Sequence, residues 1–135
     1  MEVQKSGDLG KRILEKGIKV VIMGDLSEEW YLYSIAHPIA SEADILPNLE
    51  RYFPRGIALR LMDAFPPLKD GVTAEESKKR YGDIMACAQV HLPIRRLAQD
   101  LSTAGVPVLR YELQWTPESV RSLGMKIHSV LRTCH

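Results

Sequence analysis

Residues 19–33 read KVVIMGDLSEEWYLY, and their interpretation decides the fold. With Ile18 in front, the run IKVVIM (18–23) is almost continuously apolar and stops at Gly24. That is the pattern of a strand covered on both faces within a parallel sheet. Residues 25–28 then leave the sheet, and EEWYLYSIA resumes as helix or irregular structure before Pro38. Glu28 and Glu29 stand directly beyond the strand. Acids there either cap a helix, where the dipole favours them, or mark where a sheet delivers a catalytic group.

A second strand is expected in PVLRYELQW (107–115). Leu109, Tyr111, Leu113 and Trp115 alternate with Arg110, Glu112 and Gln114, so the first set should face a core and the second should be wetter. Between the strands the chain reads as helical. Ser41 can cap EADILPNLERYF, with Leu46, Leu49, Tyr52 and Phe53 on one stripe and a kink or later start at Pro47. GIALRLMDAF forms a further helix before Pro66 and Pro67. Thr73 and Glu76 make a capping box, opening a helix with Tyr81, Ile84, Met85 and Ala88 on one side. Pro93 should bend or break that helix, which continues on Leu97, Ala98 and Leu101 until Gly105 stops it. Two strands separated by so long a helical excursion call for a parallel crossover. The expected fold class is α/β, helix-rich and with few strands. A strand as apolar as 18–23 needs neighbours on both sides, and the chain supplies at most one. The single domain, residues 1–135, is therefore expected to be partial.

Composition narrows the function. At 135 residues, with 45% hydrophobic and 26% charged residues, the chain has the makeup of one folded domain. Lys and Arg number 18 against 17 acids, a net charge of +1 that argues against a nucleic-acid binder. Lys78–Lys79–Arg80 reads as the solvated face of a helix. No run approaches the ~20 apolar residues of a membrane span, and the first residues lack a signal-peptide core, so a cytoplasmic location is expected. Cys87 reads as a small core residue and Cys134 as exposed; they make no disulfide framework. A Cys134–His135 metal pair lacks two further ligands, and no glycine-rich phosphate loop follows a strand, so neither metal nor cofactor is expected. His37 reads as a packing or loop residue and His91 as a buried helix-end histidine. Arg95 and Arg96 are placed to pair with Asp83 or Asp100, and Trp30 and Trp115 to line the core near the strand ends.

In open α/β sheets functional groups gather at the carboxyl ends of strands. Glu28 and Glu29 follow the first strand and His128 follows the second, which supplies an acid and a base in the chain order of α/β-hydrolases. Any α/β protein places some acid and some histidine after strands, so the pattern alone leaves open a helix-capping glutamate and a surface-loop histidine.

The wording of the motifs goes further. GDLSEEWYLY, read as Gly, four variable residues, Glu and an aromatic-rich helix, resembles a segment of type-B carboxylesterases, the cholinesterase–lipase group. YGDIMACAQVHLPIRRLAQDLSTAGVPVLRYELQWTP resembles their later block, and LGMKIHSVLR falls where that family has its Gly…His turn. The likeness runs from about Gly17 to Arg132 and looks closest to fungal members. It implies the C-terminal part of an α/β-hydrolase, with Glu29 as the acid and His128 as the general base of a Ser–Glu–His triad. It gives Glu28 no direct role. Trp30 would border the acyl pocket. The substrate implied is a small-molecule ester, acted on once an N-terminal portion completes the site.

Two departures from the family count against activity in this chain. No G-x-S-x-G elbow occurs in the 135 residues, and no oxyanion-hole glycines precede the triad residues. After His128 stand Ser129, Val130 and Leu131, where the family usually carries an acid. Acid and base without a nucleophile cannot turn over an ester. The alternative is a non-catalytic interaction module or pseudoenzyme, self-associating through an exposed sheet edge.

Overall fold

A computed structural model describes residues 8–66 and 73–114. His128, Trp115, Cys134 and His135 lie outside the described residues. Helix α1 (Leu9–Glu15) leads through Gly17, at φ +75°, into strand β1 (Val21–Leu26). Helix α2 (Trp30–Ala36), a 3₁₀ turn (Glu42–Asp44), α3 (Ile45–Leu49) and α4 (Arg55–Ala64) follow. Helix α5 (Ala74–Ala86) runs through a π-helical turn, Cys87–His91, into α6 (Leu92–Thr103), and β2 (Val108–Leu113) closes the described chain.

The two strands pair in parallel, from Val21 opposite Val108 to Leu26 opposite Leu113. Helices dominate, and the architecture is compatible with an α/β fold. The first strand starts and ends three residues later than the apolar run suggests. Gly24 lies inside it because the Tyr111 ring crosses its backbone: a Cβ there would stand 2.4 Å from the Tyr111 carbonyl and 2.5 Å from its ring. Glycine marks a close approach here, not a strand end.

Nor is β1 covered on both faces. Ile22 is 64% exposed and its register partner Leu109 is 58% exposed, so this face of the sheet lies open. The expected inward set of β2 is thereby overturned at Leu109. Arg110 and Glu112 instead lie on the face packed by α6.

The core sits among the helices: Ile39, Ile45, Leu49, Ala58, Tyr81, Ile84 and Met85 form one buried cluster. Thr73 and Glu76 do form the capping box that opens α5, so the Thr73 hydroxyl accepts from the Glu76 amide while the Glu76 carboxylate accepts from Thr73. Helix α2 lies against α5 at Gly82, where a Cβ would come within 2.5 Å of the Trp30 carbonyl. Pro93 neither breaks nor ends the helix. Its missing N–H falls in the first turn of α6, after the π turn, in which the Leu92 amide reaches back to the Cys87 carbonyl. Arg80 is not on a wet face; it turns inward to pair with Glu42.

Tyr81 is fully buried, and its hydroxyl has no hydrogen-bond partner among the described residues. Burial above all, with Tyr52 and Tyr33 adding to it against Arg51, pushes the phenol up to about 12. An unfolded tyrosine titrates near pH 10, so the unfolded chain sheds this proton first as pH rises. The stability tied to Tyr81 is thus fully present below about pH 10 and lost on the way to about 12. Urea denaturation across that window should show a steeper alkaline loss for the natural chain than for Tyr81→Phe. At neutral pH Tyr81→Phe should be no less stable, because it removes a buried hydroxyl without a partner.

Candidate functional site

The parallel register ends β1 and β2 at one rim, with Leu26 beside Leu113. Just beyond Leu26, Glu29 turns back, and its Oε1 accepts a hydrogen bond from the Leu26 amide at 3.0 Å. No other hydrogen bond reaches the Glu29 carboxylate among the described residues. Burial first, then this carboxylate and Tyr52, push the Tyr33 phenol above its ordinary value. The charge of Glu29 thus acts toward α2. Glu28 points elsewhere and accepts from the Trp30 indole N–H at 3.1 Å.

Beside this rim lies a cleft of about 550 Å³ between the sheet and the α5–π–α6 helix. Asp25, Ser27, Trp30, Cys87, His91, Arg95, Arg110 and Glu112 line it. Cys87, His91 and Arg95 recur every four residues, which keeps them on one helical face. Asp25, Arg110 and Glu112 share the facing side of the sheet by strand alternation. Two sides of different elements thus present polar groups to the same space.

The pair that joins them was not foreseen. His91 Nδ1–H donates to Asp25 Oδ2 at 2.7 Å, and Asp25 is only 8% exposed. The carboxylate holds the imidazole so that Nε2 is the remaining proton-accepting position, an arrangement suited to general base work. Among the described residues no hydroxyl or thiol is hydrogen-bonded to Nε2. His91 is therefore a half-exposed cleft residue rather than a buried helix end. Cys87 is likewise half-buried in the cleft wall and not in the core. Arg95 and Arg96 pair with neither Asp83 nor Asp100: Lys79 takes Asp83 at 2.6 Å. His37 serves as a packing residue, its ring edge-on to Tyr52 and Tyr81.

Of the residues singled out in the sequence, Glu29 stands at the rim and Trp30 in the cleft wall, while His128 lies outside the described residues. The expected pairing of Glu29 with His128 therefore also lies outside the described residues. The signal for Asp25–His91 was thin, since its partners are 66 residues apart.

The chain is 28% identical over 114 residues to an uncharacterized esterase/lipase of Schizosaccharomyces pombe. The chain is esterase/lipase-like in sequence. The match covers 79% of this chain and 21% of that relative, so the chain spans about a fifth of the relative's length. No family model matches, and no solved structure does. Among the described residues, no group of three or more His, Cys, Asp or Glu could hold a metal ion, and no helix is long and apolar enough to cross a membrane.

Proposed function

We propose that this chain is the C-terminal part of a carboxylic-ester hydrolase of the type-B carboxylesterase kind. It contributes the acid Glu29 and the base His128 to a triad whose serine lies in another portion. The observation that carries the reading is the parallel register of β1 and β2, which ends both strands at one rim with Glu29 beside it. Strand β2 ends at that same rim, and His128 follows it in the sequence. The esterase/lipase-like sequence agrees with it.

In the completed site His128 takes the proton from the serine hydroxyl and returns it to the leaving alcohol. The Glu29 carboxylate fixes the imidazole tautomer and stabilises the imidazolium. Trp30, at the rim end of the cleft, borders the acyl group. With no G-x-S-x-G in its sequence, the chain alone has negligible turnover.

A second reading, a non-catalytic interaction module, draws on the open Ile22–Leu109 face. One experiment separates the two. The purified chain is combined with the nucleophile-bearing N-terminal portion of a type-B carboxylesterase, and the mixture is passed over a sizing column and assayed on a short-chain p-nitrophenyl ester. Co-elution with ester hydrolysis that disappears in His128→Ala is the expected result. Hydrolysis that survives His128→Ala removes the histidine from the triad. A stable complex or self-associated form without hydrolysis selects the interaction module.

A further inference from the structure

Two arginines line the cleft without an ion pair of their own among the described residues. Arg110 comes from β2 and Arg95 from α6, one turn beyond the His91 that Asp25 clamps to the sheet. The Arg110 Nε is shut off from solvent and has no acceptor among the described residues. An anion in the cleft would meet the outer N–H groups of this guanidinium, which keeps its full charge.

The acids of the cleft are engaged elsewhere. His91 occupies Asp25, Lys79 occupies Asp83, and the Gln114 amide donates to Glu112 at 2.7 Å. Neither Arg95 nor Arg110 has an ion-pair partner among the described residues. From this arrangement we infer that the cleft binds a monocarboxylate with an apolar body, its carboxylate held between the Arg95 and Arg110 guanidinium groups.

A single carboxylate suits the site for three reasons. Guanidinium presents a planar fork that matches a carboxylate with two parallel bonds. The carboxylates of Asp25, Asp83 and Glu112 outnumber the two arginines, so a phosphate dianion meets more repulsion than a monoanion does. Trp30, Phe65, Leu92 and Tyr111 supply apolar wall for the rest of the molecule, and the cleft volume is that of a small-ligand pocket. The site shares Trp30 with the acyl border of the proposed hydrolase but needs neither Glu29 nor His128, so its test does not depend on that reading.

Calorimetric titration of the full chain with hexanoate, hexan-1-ol and inorganic phosphate tests it. Hexanoate should bind saturably, and at least about tenfold more tightly than either of the others, the difference a charge-assisted hydrogen bond makes. R95Q and R110Q should each weaken hexanoate by about tenfold without strengthening hexanol. Arg95 is exposed on α6, so R95Q keeps the test decisive if R110Q fails to fold. The inference is overturned if hexanoate does not saturate, if hexanol or phosphate binds as tightly, or if R95Q binds hexanoate like the natural chain.

Discussion

Arg80→Ala is expected to destabilise the fold by about 3 kcal/mol, read as a lowered midpoint in urea denaturation. Arg80 is 6% exposed on α5 and ties two separate pieces of chain to that helix. Its Nε and Nη2 donate to the Phe65 carbonyl, Nη2 donates to the Met62 carbonyl at 3.0 Å, and Nη1 pairs with Glu42 in the 3₁₀ turn before α3. The carbonyls of Met62 and Phe65 belong to the end of α4, where helical partners run out. Burial lowers the Arg80 pKa, yet an arginine stays charged. Alanine would take the Arg80 donors from the Phe65 and Met62 carbonyls, leaving Met62 with only the Phe65 amide, and would leave a carboxylate without its cation. Breaking a buried pair from one side costs about 3–5 kcal/mol; the lower figure is taken because the Glu42 side chain as a whole is 33% exposed, although its carboxylate oxygens are shut off from solvent. Small domains have only about 5–15 kcal/mol in total, so the loss is a large share. Arg80→Lys keeps the charge but can reach fewer of these acceptors, and should recover only part of it. A change below about 1 kcal/mol, the worth of one ordinary hydrogen bond, would show that the Arg80 contacts do not hold these segments together.

The second large effect concerns catalysis. In the complemented enzyme, Glu29→Gln should lower kcat by about 10³–10⁴-fold with KM little changed, as expected when an acid that orients and stabilises the imidazole is neutralised. Glutamine preserves the shape, and its carbonyl oxygen can still accept from the Leu26 amide that anchors Glu29 at 3.0 Å. What it loses is the negative charge that the proposed triad sets beside the imidazolium. Glu28→Gln is the matched control. The Glu28 carboxylate accepts from the Trp30 indole and is given no part in proton transfer, so kcat should remain within about threefold. Initial rates on a p-nitrophenyl ester at saturating substrate decide the matter. A loss below about tenfold for Glu29→Gln would exclude it as the acid.

Local rules were readable where neighbours in sequence are neighbours in space. Thr73 and Glu76 needed only one helical turn to form their capping box. Gly105, at φ +84°, ends α6 for the same local reason. Tyr81, Ile84 and Met85 share the buried side that their spacing implied. Where the meaning of a residue depended on a distant segment, local pattern misled. Arg80 continues a basic run but points inward, because Glu42 and the end of α4 await it. Gly24 seemed to end a strand, but Tyr111 from the other strand lies across it. Leu109 alternates like a core residue yet faces outward, since no layer covers that side of the sheet among the described residues.

Sequence alone therefore determined the alternation of one apolar strand, a long helical excursion and a second strand. That order requires a crossover, since chain connectivity forbids a hairpin over such a span. It also placed Glu29 just past a strand end. Only the tertiary structure decided which groups share the cleft: His91 bonded to Asp25, with Arg95 of α6 and Arg110 of β2 in the same lining. The reason is geometric. Periodicity reports which way a side chain points from its own element, whereas a contact also depends on the packing of the element opposite.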